Sequence, residues 1–236
     1  MDCRPFFFKK FALFHHRSTM KIGTDAILLA RWLEVSTDDE VLDIGTGCGL
    51  IPLMLAQKGI KSADAVEIDK DSCEEAAQNF SNSAWKSQLF AINDDIKHYS
   101  EICTKKYDLV VSNPPFFFGD NIPEKQRKGL ARHTNTLNYT ELLRSARQLL
   151  KPSGRFALVL PALESKTFLK DAENQGFFLE KEMKIIPIEG KEPNRINMQL
   201  VVNQTDKMES ETFVLRNADH SFTKEYKDFL KDYYLD

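Results

Sequence analysis

Long apolar runs are missing from this sequence, since none approaches the roughly 18 consecutive residues that a membrane-spanning helix needs. Cysteine is scarce as well, with four in 236 residues. The cysteines stand far apart, without a C-x-x-C pair or a nearby histidine pair at zinc-ligand spacing, at positions 3, 48, 73 and 103. We therefore expect reduced thiols, no metal site and no association with a membrane.

A signal peptide is not expected either. The apolar run of residues 5–8 is interrupted by Lys9 and Lys10 before it could serve as the core of a secretory signal. We therefore expect a cytoplasmic protein.

Net charge is close to balance, at −3, so the chain lacks the overall basic charge that nucleic-acid-binding proteins often carry. Two segments are locally basic. Their basic residues are Arg4, Lys9, Lys10, Arg17, Lys21 and Arg31 in the first, and Lys125, Arg127, Lys128 and Arg132 in the second. If these segments meet in space, they form a basic rim. Scattered, solvated side chains are the alternative.

Short apolar segments, each typical of a buried strand, alternate with segments of helical periodicity. Predicted strands cover residues 40–44, 63–68, 88–92, 107–112, 155–160, 177–186 and 197–203. Predicted helices cover residues 50–58, 70–82, 138–150 and 163–175. This order predicts an α/β fold with a doubly wound, mostly parallel, seven-stranded Rossmann-like sheet. Because no helix joins the last two strands, we expect an antiparallel edge strand.

Both ends of the chain add to this sheet. Residues 6–16 predict a short strand or extended arm, and Thr24 or Asp25 is predicted to cap a helix that ends near Glu34. Toward the other end, an extended piece at 212–215 and a closing helix at 223–234 are predicted. We expect a single domain, divided into an arm and helix (1–36), a core that carries the chemistry (37–205) and a C-terminal extension (206–236).

A glycine-rich turn follows the first predicted core strand. Gly45, Gly47 and Gly49 place backbone N–H groups and a helix N-terminus at the edge where open α/β sheets bind ligands. The dinucleotide fingerprint G-x-G-x-x-G requires a glycine where Leu50 stands, so a nicotinamide cofactor fits poorly. Asp43 precedes the turn, and its carboxylate would repel a pyrophosphate but attract an ammonium group.

Acidic residues also end the next two strands. Glu67 is placed to accept hydrogen bonds from both hydroxyls of a ribose, Ile68 to lie against an adenine ring, and Asp95 to accept a bond from the adenine amine. The alternative is that these acids merely cap the following helices. Together with Asp43, they describe a nucleoside that carries an ammonium group and no phosphate. The whole set resembles the S-adenosylmethionine site of class I methyltransferases.

The segment Asn113-Pro114-Pro115-Phe116 follows the strand at 107–112. Two prolines fix the backbone and remove two N–H donors, so the turn is stiff. The side-chain oxygen of Asn113 and the backbone carbonyl of Pro114 can accept hydrogen bonds from an exocyclic amine, while Phe116 offers a stacking face. We expect these four residues to form the catalytic motif, with Asn113 also bordering the cofactor. A plain strand end with a turn and buried phenylalanines is the alternative.

This motif resembles the Asn-Pro-Pro-aromatic motif of amino-group methyltransferases that act on adenine in nucleic acid or on a glutamine amide. Nearly end to end, the chain resembles transfer-RNA (adenine-N6)-methyltransferases that modify the adenine just 3′ of the anticodon of one valine isoacceptor. The resemblance is carried by the phenylalanine-rich residues 6–14, by 20–26, by 113–116 and by 131–133. Phe116 stands where many relatives carry tyrosine, so stacking is kept but a hydroxyl is lost.

The resemblance implies S-adenosylmethionine as cofactor and transfer RNA as substrate. No obligate protein partner is evident from the sequence. It also implies that residues at the start of the first helix cover the cofactor, and these are Lys21, Gly23, Thr24 and Asp25. It further implies that Arg132 and His133 lie near the substrate, although a surface histidine is the alternative for His133.

Three other functions fit this sequence less well. A DNA adenine methyltransferase usually carries a target-recognition region, and no spare block is present for one. A glutamine methyltransferase would need a helical recognition domain ahead of Gly45, where only about forty residues stand. A non-catalytic RNA-binding protein on the same scaffold is possible in principle, because fold does not fix function, but the intact Asn113 motif counts against it.

Overall fold

The computed structural model describes residues 4–19, 21–115, 137–204 and 207–235. Phe116, Arg132, His133 and the second basic segment lie outside the described residues, so the predictions made for them, including the basic rim, stay predictions.

The order of elements follows the alternation of the sequence. The strands are β1 (Phe6–Phe7), β2 (Ala12–Leu13), β3 (Glu40–Ile44), β4 (Ser62–Glu67), β5 (Leu89–Asn93), β6 (Tyr107–Ser112), β7 (Leu150–Pro161), β8 (Phe178–Ile186), β9 (Arg195–Val201) and β10 (Glu209–Val214). The helices are α1 (Thr24–Trp32), α2 (Leu50–Lys58), α3 (Lys70–Ser81), α4 (Ile96–Ile102), α5 (Tyr139–Leu149), α6 (Ala162–Asn174) and α7 (Lys224–Leu230).

Strands β3 to β10 form one sheet in the order β10-β8-β9-β7-β6-β3-β4-β5. Neighbouring strands are parallel except at β9, which runs antiparallel to both β7 and β8. The predicted α/β class with a mostly parallel sheet is therefore confirmed. Two details differ: the sheet of the described residues has eight strands because β10 adds to the edge, and the antiparallel strand lies two places inside that edge.

Helices cover both faces of the sheet, which explains why its central strands are apolar on both sides. In β3, Val41 packs into a core shared with α1, α2 and the N-terminal residues, while Leu42 and Ile44 pack into a second core beneath α5 and α6. Both faces of this strand are fully buried. The carboxyl ends of its parallel neighbours consequently meet at one well-supported edge.

Four local predictions need correction. Helix α1 is capped by the backbone at Gly23, not by the side chain of Thr24 or Asp25, since the Asp25 carboxylate accepts a hydrogen bond from Arg195 Nε at 3.0 Å. Helix α4 is absent from the sequence prediction because it spans only seven residues. The closing helix ends at Leu230 rather than at 234, and its last residues form turns.

The strand predicted at 155–160 begins earlier, at Leu150, and residues 151–154 form a bulge inside this strand, β7. Pairing with β6 jumps from Tyr107–Leu150 to Leu109–Arg155, so four residues of β7 face one residue of β6. A Cβ atom at Gly154 would lie 2.9 Å from the Tyr107 carbonyl oxygen. The bulge therefore requires glycine at this position.

The predicted N-terminal arm begins as a small hairpin of β1 and β2. It continues as residues 14–19, which we call the N-terminal strap, along helix α3. Glu75 of α3 is fully buried and accepts backbone N–H bonds from His16, Arg17 and Ser18 at 2.9, 3.0 and 2.8 Å. One side chain thus fixes three consecutive residues of the strap.

Among the described residues, no helix combines the length and apolarity needed to cross a bilayer.

Candidate active site

The parallel pairing of the sheet brings several predicted site residues to one edge. Ile44 at the end of β3 pairs with Ser112 at the end of β6, and the Ser112 hydroxyl donates to the Ile44 carbonyl at 2.9 Å. Asn113 therefore leaves its strand beside the start of the glycine loop. On the other side of β3, the pairing of β4 with β5 sets Glu67 opposite Asn93.

The three glycines of the loop all adopt positive φ angles, from 57° to 84°. A Cβ atom at Gly49 would lie 2.5 Å from the ring of Phe80, so helix α3 packs directly against this position. A Cβ atom at Gly45, by contrast, would meet nothing within 4 Å. The open side of the loop therefore lies at Gly45, at the same edge as Asn113.

Asp43 lies beneath this loop and is almost fully buried. Its Oδ2 accepts a hydrogen bond from the Thr46 hydroxyl at 2.6 Å, while its Oδ1 is buried and has no protein partner among the described residues. Burial raises the pKa of Asp43 to about 7, opposed by the Thr46 hydrogen bond and aided by the nearby charge of Glu67. An unsatisfied acceptor in this position fits a cationic donor such as an ammonium group.

Glu67 is also buried, and both of its carboxylate oxygens bind the protein backbone. Oε2 accepts the N–H of Gly47 and Oε1 that of Asp69, each at 2.9 Å. Each oxygen keeps a further lone pair, so two ribose hydroxyls could still donate to it. Burial raises the pKa of Glu67 above its usual value. Next to it, Ile68 is 54% exposed and offers an apolar face, as predicted for a residue beneath a base.

Asp95 has a structural role that the sequence prediction gave only as the alternative. Its side chain caps helix α4 by accepting the Lys97 N–H at 2.9 Å, and Lys97 Nζ lies 3.6 Å away. Asp69 likewise caps α3 through the Ser72 N–H at 2.9 Å. Asp95 lies two residues beyond the end of β5, so its place near an adenine stays a prediction.

The residues around the start of α1 form two separate contacts. Lys21 Nζ donates to the carbonyl oxygens of His15 and His16 at 2.8 and 3.2 Å, which ties it to the strap. Asp25 binds Arg195, the first residue of β9. Because β9 is antiparallel, Arg195 pairs with Pro161 at the carboxyl end of β7. The Asp25–Arg195 ion pair therefore holds the start of α1, with Gly23 and Thr24, at the carboxyl edge of the sheet.

Asn113 places an amide at the end of β6. Its Oδ1 is buried and accepts no hydrogen bond from the described part of the chain, while Pro114 behind it is buried. Pro115 is half-buried. Buried acceptors are normally satisfied in proteins, so a free one on a stiff turn suits a ligand that donates N–H groups. The described residues contain no cluster of side chains suited to a metal ion.

Several residues that shape this site were not predicted from the sequence. Thr46 satisfies one oxygen of Asp43, and Asn93 donates to the carbonyl oxygens of Glu67 and Ile68 at 2.8 and 3.2 Å. Arg195 and Glu75 act from distant parts of the chain. Only Asn93 had a usable signal, since it is a polar residue at the end of a predicted strand.

Comparison with known proteins gives consistent matches. Residues 12–184 match the model of the methyltransferase small domain family. The tRNA1(Val) (adenine(37)-N6)-methyltransferase of Trichodesmium erythraeum is 38% identical, covering 100% of this chain and 99% of the relative. The protein of the same name from Parabacteroides distasonis is 36% identical, covering 98% of each.

Solved structures share the fold at low sequence identity. A predicted O-methyltransferase from Agrobacterium tumefaciens superposes with a TM-score of 0.67 at 15% identity, covering 89% of this chain and 96% of that one. The glycopeptide N-methyltransferase MtfA, solved in complex with S-adenosyl-L-methionine, gives a TM-score of 0.57 at 13% identity, covering 79% and 91%. From the match over residues 12–184 and the near full-length identity, this chain belongs to the methyltransferase small domain family, among the tRNA1(Val) (adenine(37)-N6)-methyltransferases.

Proposed function

We propose that this chain transfers a methyl group from S-adenosylmethionine to the N6 amine of an adenine in transfer RNA, at adenine 37 of tRNA1(Val). The choice of RNA is supported by the relatives of that name, which match over almost the whole chain. The choice of amine is supported by the buried, unpartnered Oδ1 of Asn113 beside the glycine loop. The proposed chemistry therefore depends on this unpartnered oxygen of Asn113.

The proposed cofactor site consists of the glycine loop, the strand ends and the start of α1. Asp43 would accept from the ammonium group through its free Oδ1, and Glu67 would accept from the ribose hydroxyls. Ile68 would lie against the adenine, Asp95 would accept from its amine, and Asn113 would border the methyl group. The remaining proposed contacts come from the loop and from the helix start: Gly45, Gly47, Gly49, Lys21, Gly23, Thr24 and Asp25. Bound S-adenosylmethionine supplies a methyl group that is already activated as part of a sulfonium.

The chain's own residues would act on the nitrogen that receives the methyl group. The lone pair of an exocyclic amine is delocalised into the purine ring, which makes the nitrogen a weak nucleophile. Acceptance of its two N–H bonds by Asn113 Oδ1 and by the Pro114 carbonyl favours a tetrahedral nitrogen with a localised lone pair. The stiff Pro114-Pro115 turn holds both acceptors in place, so little entropy is lost in orienting them when the amine binds. Phe116 is proposed to stack on the base.

The target base must leave any stacked position to reach this turn. In RNA loops, such as the anticodon loop, bases are unstacked at low cost, so a loop adenine is an accessible substrate. Because the proposed substrate is transfer RNA, we also propose that the protein acts in the cytoplasm. Adenine in ribosomal RNA or DNA, a glutamine amide, or non-catalytic RNA binding are the alternatives, and none has a supporting feature beyond the shared motif.

The proposed catalytic role is tested by Asn113→Ala with purified protein, labelled S-adenosylmethionine and unmodified transfer RNA. We expect label incorporation to fall at least about a hundredfold, in line with the loss of an acceptor that positions and activates the reacting group. Cofactor affinity, measured by calorimetry, should change little. Asn203→Ala, at an exposed position distant from the motif, is the matched control and should keep full activity. Equal turnover in Asn113→Ala would remove Asn113 from the chemistry.

A further inference from the structure

The N-terminal strap lies directly against the glycine loop. Asn79 of α3 joins the two, since its Nδ2 donates to the carbonyl oxygens of Phe14 and Cys48, both at 2.8 Å. At the strap's other end, the Ser18 Oγ lies 3.4 Å from the position that a Cβ atom on Gly47 would occupy. The strap therefore forms a wall beside the loop.

Two side-chain atoms of this wall are buried without a hydrogen-bond partner among the described residues, His15 Nδ1 and Ser18 Oγ, and Ser18 Oγ is the one that faces the glycine loop. Ser18 as a whole is 4% exposed. Its backbone, by contrast, is fixed, because its N–H donates to Glu75 Oε2 at 2.8 Å. A buried hydroxyl held this firmly is expected to have a partner, and the loop it faces belongs to the proposed cofactor site.

The loop itself has few donors left for an anionic group. Four of the five N–H groups of residues 45–49 are used within the protein: Gly45 and Thr46 donate to the Val66 carbonyl at 2.9 and 3.3 Å, Gly47 to Glu67 and Gly49 to the Thr46 carbonyl at 3.0 Å. S-adenosylmethionine carries a carboxylate, which is an acceptor only. The carboxylate must therefore find donors outside these four N–H groups. Lys21, which follows the strap in the sequence, donates two of its three ammonium N–H groups to carbonyl oxygens of the strap. The third N–H group can still donate to a carboxylate.

We propose that the Ser18 hydroxyl donates to the amino-acid carboxylate of bound S-adenosylmethionine, and that Glu75 is the positioning residue that holds Ser18 there. The inference rests on the proposed function only for the identity of the cofactor. Asp43 accepts from the ammonium group and Ser18 donates to the carboxylate. Both charged groups of the amino-acid part of the cofactor are therefore bound by the protein.

The test measures binding to Ser18→Ala by calorimetry, with S-adenosylmethionine and with its decarboxylated form as the two probes. We expect the Kd for S-adenosylmethionine to rise by about tenfold or more, as for the loss of one hydrogen bond to a charged group. The Kd for the decarboxylated form should be the same in both proteins. Because the hydroxyl is unpartnered in the free protein, the free variant should melt at the wild-type temperature or above it. Ser145→Ala, a similarly buried serine on α5, should leave both Kd values unchanged.

Two outcomes overturn the inference. An unchanged Kd for S-adenosylmethionine in Ser18→Ala removes the hydroxyl from the site. An equal loss of affinity for both probes shows that the hydroxyl acts elsewhere than on the carboxylate. The proposed function fails separately, because wild-type protein that binds neither probe contradicts the cofactor itself, whereas binding by wild type with either outcome above contradicts only the role of Ser18.

Discussion

Asp43 places a buried carboxylate beneath the glycine loop, and its protonation state determines how strongly the site attracts an ammonium group. Burial raises its pKa from 3.8 to about 7. Between these values the folded protein keeps a proton that the unfolded chain has released, so this residue makes the free protein less stable as pH rises through that range. The ionised form, which predominates above about pH 7, is the form that attracts an ammonium group.

We therefore expect the affinity for S-adenosylmethionine to increase from about pH 6 to about pH 8, where Asp43 loses its proton. Asp43→Asn should bind more weakly and should lose most of this pH dependence, because the amide does not ionise. Calorimetric titrations at several pH values measure both effects. Asp38→Asn, at an exposed turn position, is the control and should follow the wild-type curve. A wild-type affinity that is constant with pH would contradict the role given to Asp43.

Residues of the site could be predicted from the sequence where they lie at the end of a predicted strand. Asp43, Glu67 and Asn113 fall at the carboxyl ends of β3, β4 and β6, and parallel strands necessarily bring such ends together. Ser18 and Arg195 were not predictable, since each reaches the edge through contacts with residues more than 50 positions away. Nothing in the local sequence specifies those contacts.

Helix α3 is the element that connects the strap to the site. Its buried face carries Glu75 and Asn79 toward the strap, and its first turn follows Glu67. Phe80, one turn beyond Ala76, fills the space beside Gly49, so the same helix also fixes the end of the glycine loop. Movement of α3 would displace the strap and the loop together.

We predict that Glu75→Gln destabilises the protein by about 3 kcal/mol, because an amide cannot replace all the hydrogen bonds that the carboxylate accepts from the strap. The melting temperature should fall by roughly 6–12 °C. Cofactor affinity should fall as well, since Ser18 loses its support. Glu101→Gln, the same change at an exposed position of α4 away from the strap, should shift stability by less than about 0.5 kcal/mol. Equal melting temperatures for the two variants would show that the strap is held by other contacts.

Elements defined by local signals were predicted closely, and those defined by pairing were not. The bounds of β6 and α2 agree with the sequence prediction, because apolar periodicity and the glycines at 49 and 59 mark their ends. The place of β9 between β7 and β8 depends on which strands pair across the sheet. The bulge in β7 depends in the same way on its partner strand.

The first and last described residues of the chain meet on one face of the sheet. The Lys9 N–H donates to the Tyr233 carbonyl at 2.7 Å, and the rings of Phe8 and Tyr234 stack with centroids 6.0 Å apart. The hairpin that precedes the strap is thereby anchored to the turns after α7. The N-terminal wall of the proposed cofactor site is thus supported by α3 along its length and by the C-terminal residues at its base.

Methylation of a single adenine in transfer RNA can be measured with a position-specific assay. Purified protein is incubated with labelled S-adenosylmethionine and a tRNA1(Val) transcript, and the modified nucleotide is located by mass spectrometry after nuclease digestion. A transcript with guanine in place of adenine 37 is the matched control. We predict one N6-methyladenine at position 37 and no product with the control transcript. Methylation at another nucleotide, or equal methylation of both transcripts, would show that adenine 37 is not the target.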